Sequence, residues 1–136
     1  MTDGAGSPAA TNVSVVRGPL VGPVLRRVVG MVAARADLPL DRWDDAVLVA
    51  DLIAARAPEH VQGETVDVAL TSGVRELGLR VGPLRQGGGA ALVDAAAVPG
   101  VGNVIEQLAD EVSVVEDGAD VEHLQVRLAW SQGASA

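Results

Sequence analysis

A chain of 136 residues with 49% hydrophobic residues and a formal net charge of −8 has the length for one hydrophobic core and not for two. The charge argues against nucleic acid as a partner, since phosphate neutralisation needs a basic surface, and with Trp43 and Trp130 as the only aromatic residues bases have little to stack on. Cysteine is absent, which excludes disulfides, thiol nucleophiles and thiolate metal sites.

Residues 1 to 11 are mostly Gly, Ala, Ser, Thr and Pro without periodicity, and read as a tail. They hold neither the basic region nor the apolar run of a secretory signal, and no stretch approaches the ~20 apolar residues of a membrane span. The expectation is a cytoplasmic protein without a membrane partner. From Asn12 to Arg17, Val13 and Val15 alternate with polar neighbours, which predicts a short strand. A helix follows with Pro23 near its first turn, and Val24, Val28, Met31 and Val32 are expected to form its buried stripe. Asp37-Leu38-Pro39 ends it after Ala36.

Asp41 is the expected cap of a second helix, with Asp44 placed as in a capping box. Trp43, Val47, Ala50 and Ala54 form the predicted stripe, Leu48 and Leu52 lie beside it, and Pro58 stops it. Val66, Val68 and Leu70 alternate, Ser72-Gly73 turns, and Leu77, Leu79 and Val81 alternate again, which predicts a hairpin. Gly82 to Gly89 reads as a glycine-rich loop and Ala90 to Ala97 as a short helix. Pro99 to Val112 is read as a further helix, because Val101, Val104, Ile105, Leu108 and Val112 recur at spacings of three and four. Val112 to Val115 and Leu124 to Leu128 complete the pattern as strands, and residues 131 to 136 read as a second tail.

The order β, α, α, β, β, α, α, β, β describes one α+β domain over residues 12 to 130. Its architecture is a two-layer α/β sandwich: a mixed, mostly antiparallel sheet with helices on one face.

Few residue groupings carry chemistry. The first turn opened by Gly100 and Gly102 suits an anion, because unpaired amides are approached closely only where side chains are absent; the same glycines equally suit a tight turn. Gly87-Gly88-Gly89 fits either a lid or a plain linker. His60 and His123 lie far apart in sequence, so no metal site is expected. Asp44, Asp45 and Asp51 sit on the second helix as dipole partners. Asp110-Glu111 and the acidic run Glu116 to Glu122 read as a helix end and a solvated hairpin tip, with an affinity for an arginine-bearing partner as the sharper alternative. Neither a lysine nor a Gly-x-Ser-x-Gly elbow is present, so nucleophilic catalysis has no candidate.

Gly100-Val101-Gly102-Asn103, running through Leu108-Ala109-Asp110-Glu111-Val112, resembles the second glycine box of the histidine-kinase-type (GHKL, or Bergerat) ATPases. Within them the similarity is greatest to the anti-sigma-factor serine kinases of the RsbW type. Asp44-Asp45 through Asp51, then Arg56-Ala57-Pro58-Glu59-His60, is similar to that group's preceding helix, and the resemblance spans residues 12 to 130. It implies a Bergerat-type sandwich and a nucleotide pocket in which Arg56, Gly100, Gly102 and Asn103 are the vestigial contacts.

The departures from the family fall on its chemistry. Leu52 stands at the position of the general base and Arg56 at that of the magnesium-binding asparagine; leucine accepts no proton and arginine ligates no cation. The next box fits best as Arg85-Gln86-Gly87-Gly88-Gly89, with arginine in place of the adenine-binding aspartate. The resemblance therefore implies a catalytically degenerate regulatory module with no catalytic residue, no magnesium, and either no cofactor or weakly held ATP. Its implied partners are a sigma factor, a STAS-type antagonist, or a second copy in a homodimer. The enzyme alternative is an active ATP-dependent serine kinase in which Asp51 or Glu59 supplies the carboxylate.

Overall fold

A computed structural model describes residues 9 to 118 and 120 to 131. The expected tails lie outside them, except for residues 9 to 11 and 131. Strand β1 (Ala9–Val16) begins three residues before the predicted start, because Ala9, Ala10 and Thr11 pair with Ser72, Thr71 and Leu70. Helix α1 (Val21–Ala36) and helix α2 (Leu40–Arg56) follow, then a 3-10 turn at Ala57–Glu59. Strands β2 (Thr65–Gly73) and β3 (Glu76–Arg85) form the expected antiparallel hairpin.

Five strands make one sheet in the order β1-β2-β3-β7-β6, antiparallel at every pairing, with β6 spanning Glu111–Glu116 and β7 Val121–Ala129. The fold is α+β, a two-layer sandwich. Period-two patterning puts Val66, Val68, Leu70, Leu77, Leu79, Val81, Leu124, Val126 and Leu128 on one face, all buried. Removing such a Val or Leu from water contributes about 1.5 to 3 kcal/mol each, and α1 and α2 supply the covering layer. Thr71, Arg80, Gln125 and Arg127 occupy the opposite, polar face. No helix among the described residues is long and apolar enough to cross a membrane.

Helices α1 and α2 form where expected, with inward faces that differ in part from the predicted stripes. In α1 the buried residues are Val21, Leu25, Val29, Val32 and Ala33, while Met31 is 56% exposed. Of the predicted stripe of Val24, Val28, Met31 and Val32, Val32 is buried as expected; the rest of that stripe also contains Arg27 at helical spacing, so burying it would bury a guanidinium, and the observed stripe sends Arg26 and Arg27 to solvent. In α2, Ala50 and Ala54 are buried as expected, joined by Ala46, Val49 and Ile53, and Leu48 is exposed. Asp41 is not the cap: Pro39 holds that position without a side-chain hydrogen bond, and Asp41 lies in the first turn.

Two further corrections concern the glycine-bearing segments. The predicted loop from Gly82 to Gly89 shrinks, because β3 runs on to Arg85 through a register irregularity between Val81 and Leu84, and helix α3 (Gly88–Asp94) starts within the glycines. The predicted helix from Pro99 to Val112 is interrupted. Ala97–Val98 (β4) and Gly102–Asn103 (β5) pair as a small antiparallel ribbon, α4 covers only Val104–Leu108, and Val112 belongs to β6, opposite Val126. Gly100 and Gly102 have φ of +81° and +103°, values that no α-helix contains.

Candidate functional site

The glycines at the start of α3 are built into the interior. A Cβ on Gly88 would stand 3.2 Å from the Cβ atoms of His60 and Leu84, and one on Gly89 would stand 2.7 Å from Val114 Cγ2. Close packing, rather than a lid, accounts for both positions. Beneath them lies Glu122, 6% exposed, the one charged residue among the buried polar side chains described. Its Oε1 accepts the amide of Gly87 at 3.2 Å and its Oε2 the amide of Gly89 at 2.8 Å. Amides at the head of a helix hold an anion well, and here the anion is the chain's own carboxylate.

Glu122 is the residue that sequence reasoning missed. By sequence it belongs to the acidic run of the hairpin tip, yet it shares strand parity with Leu124, Val126 and Leu128, which places it on the buried face. That alternation was the available signal.

The second glycine segment is likewise closed from within. Asn103 caps α4, its Oδ1 accepting the amide of Glu106 at 3.1 Å while its Nδ2 donates to the Val93 carbonyl at 2.7 Å. Gln107 Nε2 donates to the Val101 carbonyl at 2.5 Å, and a Cβ on Gly102 would meet that nitrogen at 2.7 Å. Gly100 and Gly102 thus serve the turn between β4 and β5.

Arg56 is not brought to these glycines by any hydrogen bond or ion pair among the described residues. It ends α2 with its side chain half exposed, 3.8 Å from Glu59. Leu52 is partly buried against the core. Asp51, a carboxylate of the enzyme alternative, is bound by Arg26 across the α1–α2 surface. Arg85 donates to the Glu59 carbonyl, and its own amide donates to the His60 carbonyl at 2.8 Å, fixing the chain beside Gly88.

The two histidines stay apart. His60 lies by Gly88 on the covered side, whereas the His123 ring lies on the polar face over Gly82, where a Cβ would come within 2.5 Å of it. His123 Nδ1 is 3.7 Å from Asp117 Oδ2. No group of three or more His, Cys, Asp or Glu residues among those described is arranged to hold a metal ion. Hollows of about 370 Å³ and 560 Å³ lie on the polar sheet face, both bordered by Arg80, and include neither glycine segment.

Arg42 organises the opposite end of α2. Its guanidinium donates to Asp45 at 2.9 Å, to the Leu108 carbonyl at 2.9 Å, to the Ala129 carbonyl at 3.0 Å and to Asp110. Asp110 also accepts the Ala129 amide at 2.7 Å. One planar fork therefore ties α2 to the end of α4 and to the strand pair β6–β7.

No protein-family model matches the chain, and no curated protein matches it.

Proposed function

We propose that the chain is a non-catalytic regulatory module of the anti-sigma-factor-kinase type, acting in the cytoplasm through protein–protein contact. The observation that carries this reading is that both glycine segments are satisfied internally. Glu122 occupies the amides of Gly87 and Gly89, and the Asn103 side chain occupies the head of α4. A phosphate bound at either place would have to displace an oxygen already held there, and beside Glu122 it would face a like charge. Leu52 and Arg56 add support, because neither side chain accepts a proton or ligates magnesium. On this reading the scaffold is kept while its chemistry is absent, and the partners are a sigma factor, a STAS-type antagonist, or a second copy of the chain.

Two measurements on the purified protein test the proposal. Calorimetry with saturating magnesium-ATP is expected to give no binding heat, and titration with the sigma factor and STAS proteins of the same genome is expected to give a nucleotide-independent complex with one of them. Transfer of labelled phosphate from ATP to a STAS-domain serine would overturn it in favour of the active kinase.

A further inference from the structure

Arg80 stands in the middle of the polar sheet face, on β3 between Ala69 of β2 and Gln125 of β7. The hollows of about 370 Å³ and 560 Å³ meet at Ala69 and Arg80, the two residues that border both. Among the described residues Arg42, Arg80 and Arg127 are the half-buried arginines, and the others are exposed. Arg42 is held by Asp45 and Asp110, and Arg127 by Glu76 and Glu111. Arg80 has no ion pair among the described residues, and its Nε is enclosed without a hydrogen-bond partner. A guanidinium partly withdrawn from water keeps its charge and forfeits hydration, which a carboxylate oxygen restores.

Two carboxylates, Asp67 and Asp117, border the larger hollow with it, and neither has a guanidinium partner among the described residues. Asp67 lies in register with Ser14 and Gly82, which makes it the diagonal neighbour of Arg80, with backbones about 7 to 8 Å apart. Its Oδ1 accepts the hydroxyls of Ser14 at 2.6 Å and Thr65 at 3.0 Å. Asp117 stands 3.7 Å from Nδ1 of His123, an enclosed nitrogen that also lacks a hydrogen-bond partner. The other charged groups at the hollows, Glu76, Glu111 and Arg127, border the smaller one and bind one another. The larger hollow thus presents charge of both signs with no ion pair between Arg80 and its carboxylates. A dianion such as phosphate would be repelled by Asp67 and Asp117, and a simple amine by Arg80. A molecule with one carboxylate and one ammonium meets an opposite charge at each end.

We propose that the larger hollow binds a small zwitterion of the free amino-acid class, its carboxylate against the Arg80 guanidinium and its ammonium against Asp67. Adjacent strands of one sheet then meet the two ends of the ligand, which fixes their spacing, and Asn12 offers a neutral amide beside them. A hollow of about 560 Å³ is of the size that takes a small molecule. The site includes no glycine of α3 or of the β4–β5 turn, so the inference goes beyond the regulatory-module reading and does not depend on it.

The test titrates the full chain, labelled with nitrogen-15, with the standard amino acids taken singly, and follows backbone amides and the Arg80 Nε–H by two-dimensional NMR. At least one amino acid is expected to shift the signals of Asp67, Ala69, Arg80 and His123 in a saturable way. Its N-acetyl derivative, which lacks the ammonium, and its amide, which lacks the carboxylate, are each expected to bind about tenfold more weakly or worse. Arg80→Gln and Asp67→Asn should each weaken binding of the parent amino acid to the same degree, whereas Ser113→Ala in the smaller hollow should not. Asp67 is exposed and its change isosteric, so that variant carries the test even where Arg80→Gln disturbs the fold, which its own spectrum reports. Absence of any saturable shift, equal binding of the N-acetyl or amide derivative, tighter binding of inorganic phosphate, or undiminished affinity in Asp67→Asn or in a folded Arg80→Gln would overturn the inference. None of these titrations contains nucleotide, so they fail independently of the magnesium-ATP experiments.

Discussion

Oε2 of Glu122 accepts the Gly89 amide at 2.8 Å across 33 positions of sequence, joining the start of β7 to the head of α3. The same carboxylate reaches the Gly87 amide, so removing it leaves two backbone donors without their partner. Replacing Glu122 with Ala is expected to cost about 2 to 4 kcal/mol, the range for losing hydrogen bonds to a charged, buried acceptor. Urea denaturation monitored by far-ultraviolet circular dichroism measures it. A loss below about 0.5 kcal/mol, the scale of ordinary surface changes, would show that the carboxylate does not hold α3.

Gly89 is packed so closely that its substitution tests the interior of the site directly. A Gly89→Ala change puts a methyl 2.7 Å from Val114 Cγ2 and 3.0 Å from Glu122 Oε2, and overpacking of this kind costs about 1 to 3 kcal/mol. Val114 lies on edge strand β6 and is 42% exposed, so Val114→Ala should cost little by itself and recover part of the Gly89→Ala loss. A double-mutant cycle in urea gives the coupling, and strict additivity would contradict the geometry.

Gly100 and Gly102 separate a structural role from a ligand-binding one. Their φ values of +81° and +103° are strained for any residue with a Cβ, so Gly100→Ala and Gly102→Ala should each lower stability by about 1 to 2 kcal/mol. Calorimetry on the parent chain and both variants should find no magnesium-ATP affinity for them to alter. A measurable affinity that disappears in either variant would return these glycines to a nucleotide pocket.

Arg42 and Arg56 stand at opposite ends of α2, and the two are expected to respond very differently. The Arg42 side chain is 17% exposed and bonds two carboxylates and two carbonyls, so Arg42→Ala should cost about 2 to 4 kcal/mol, with Lys a poor substitute because an ammonium cannot reproduce the fork. Arg56 is 51% exposed and 3.8 Å from Glu59, a pair whose loss should change stability by under about 0.5 kcal/mol. Thermal melts of the three variants against the parent would check both statements.

How much of this was legible depended on whether a residue's environment is set nearby or far away. The alternation of Val66, Val68 and Leu70 with polar neighbours admits one sheet face only, and those strands, with the antiparallel α+β architecture, follow directly. Helix α1 was legible as a helix, but its apolar residues surround it, so the inward face was decided by Arg26 and Arg27, which solvent must reach. The segment from Pro99 to Asn103 misled because glycine fits both a helix start and a left-handed turn, and the choice falls to the β4–β5 pairing. Arg42 carried no sequence signal at all, since the carbonyls it binds belong to residues 66 and 87 positions away. Glu122 was readable from strand parity, and the acidic company of Glu116, Asp117 and Asp120 concealed it.

The strand order has a consequence for biosynthesis. β7 follows every other strand in sequence yet sits between β3 and β6, so a growing polypeptide can pair β1, β2 and β3 while β6 still lacks any neighbour. Until residues 121 to 129 leave the ribosome, one border of the nascent hairpin sheet stays open and the apolar side of β6 has nowhere to dock. Assembly of the sheet is therefore dominated by long-range closure through β7, and ribosome-bound intermediates truncated before Val121 should be the form most prone to capture by chaperones.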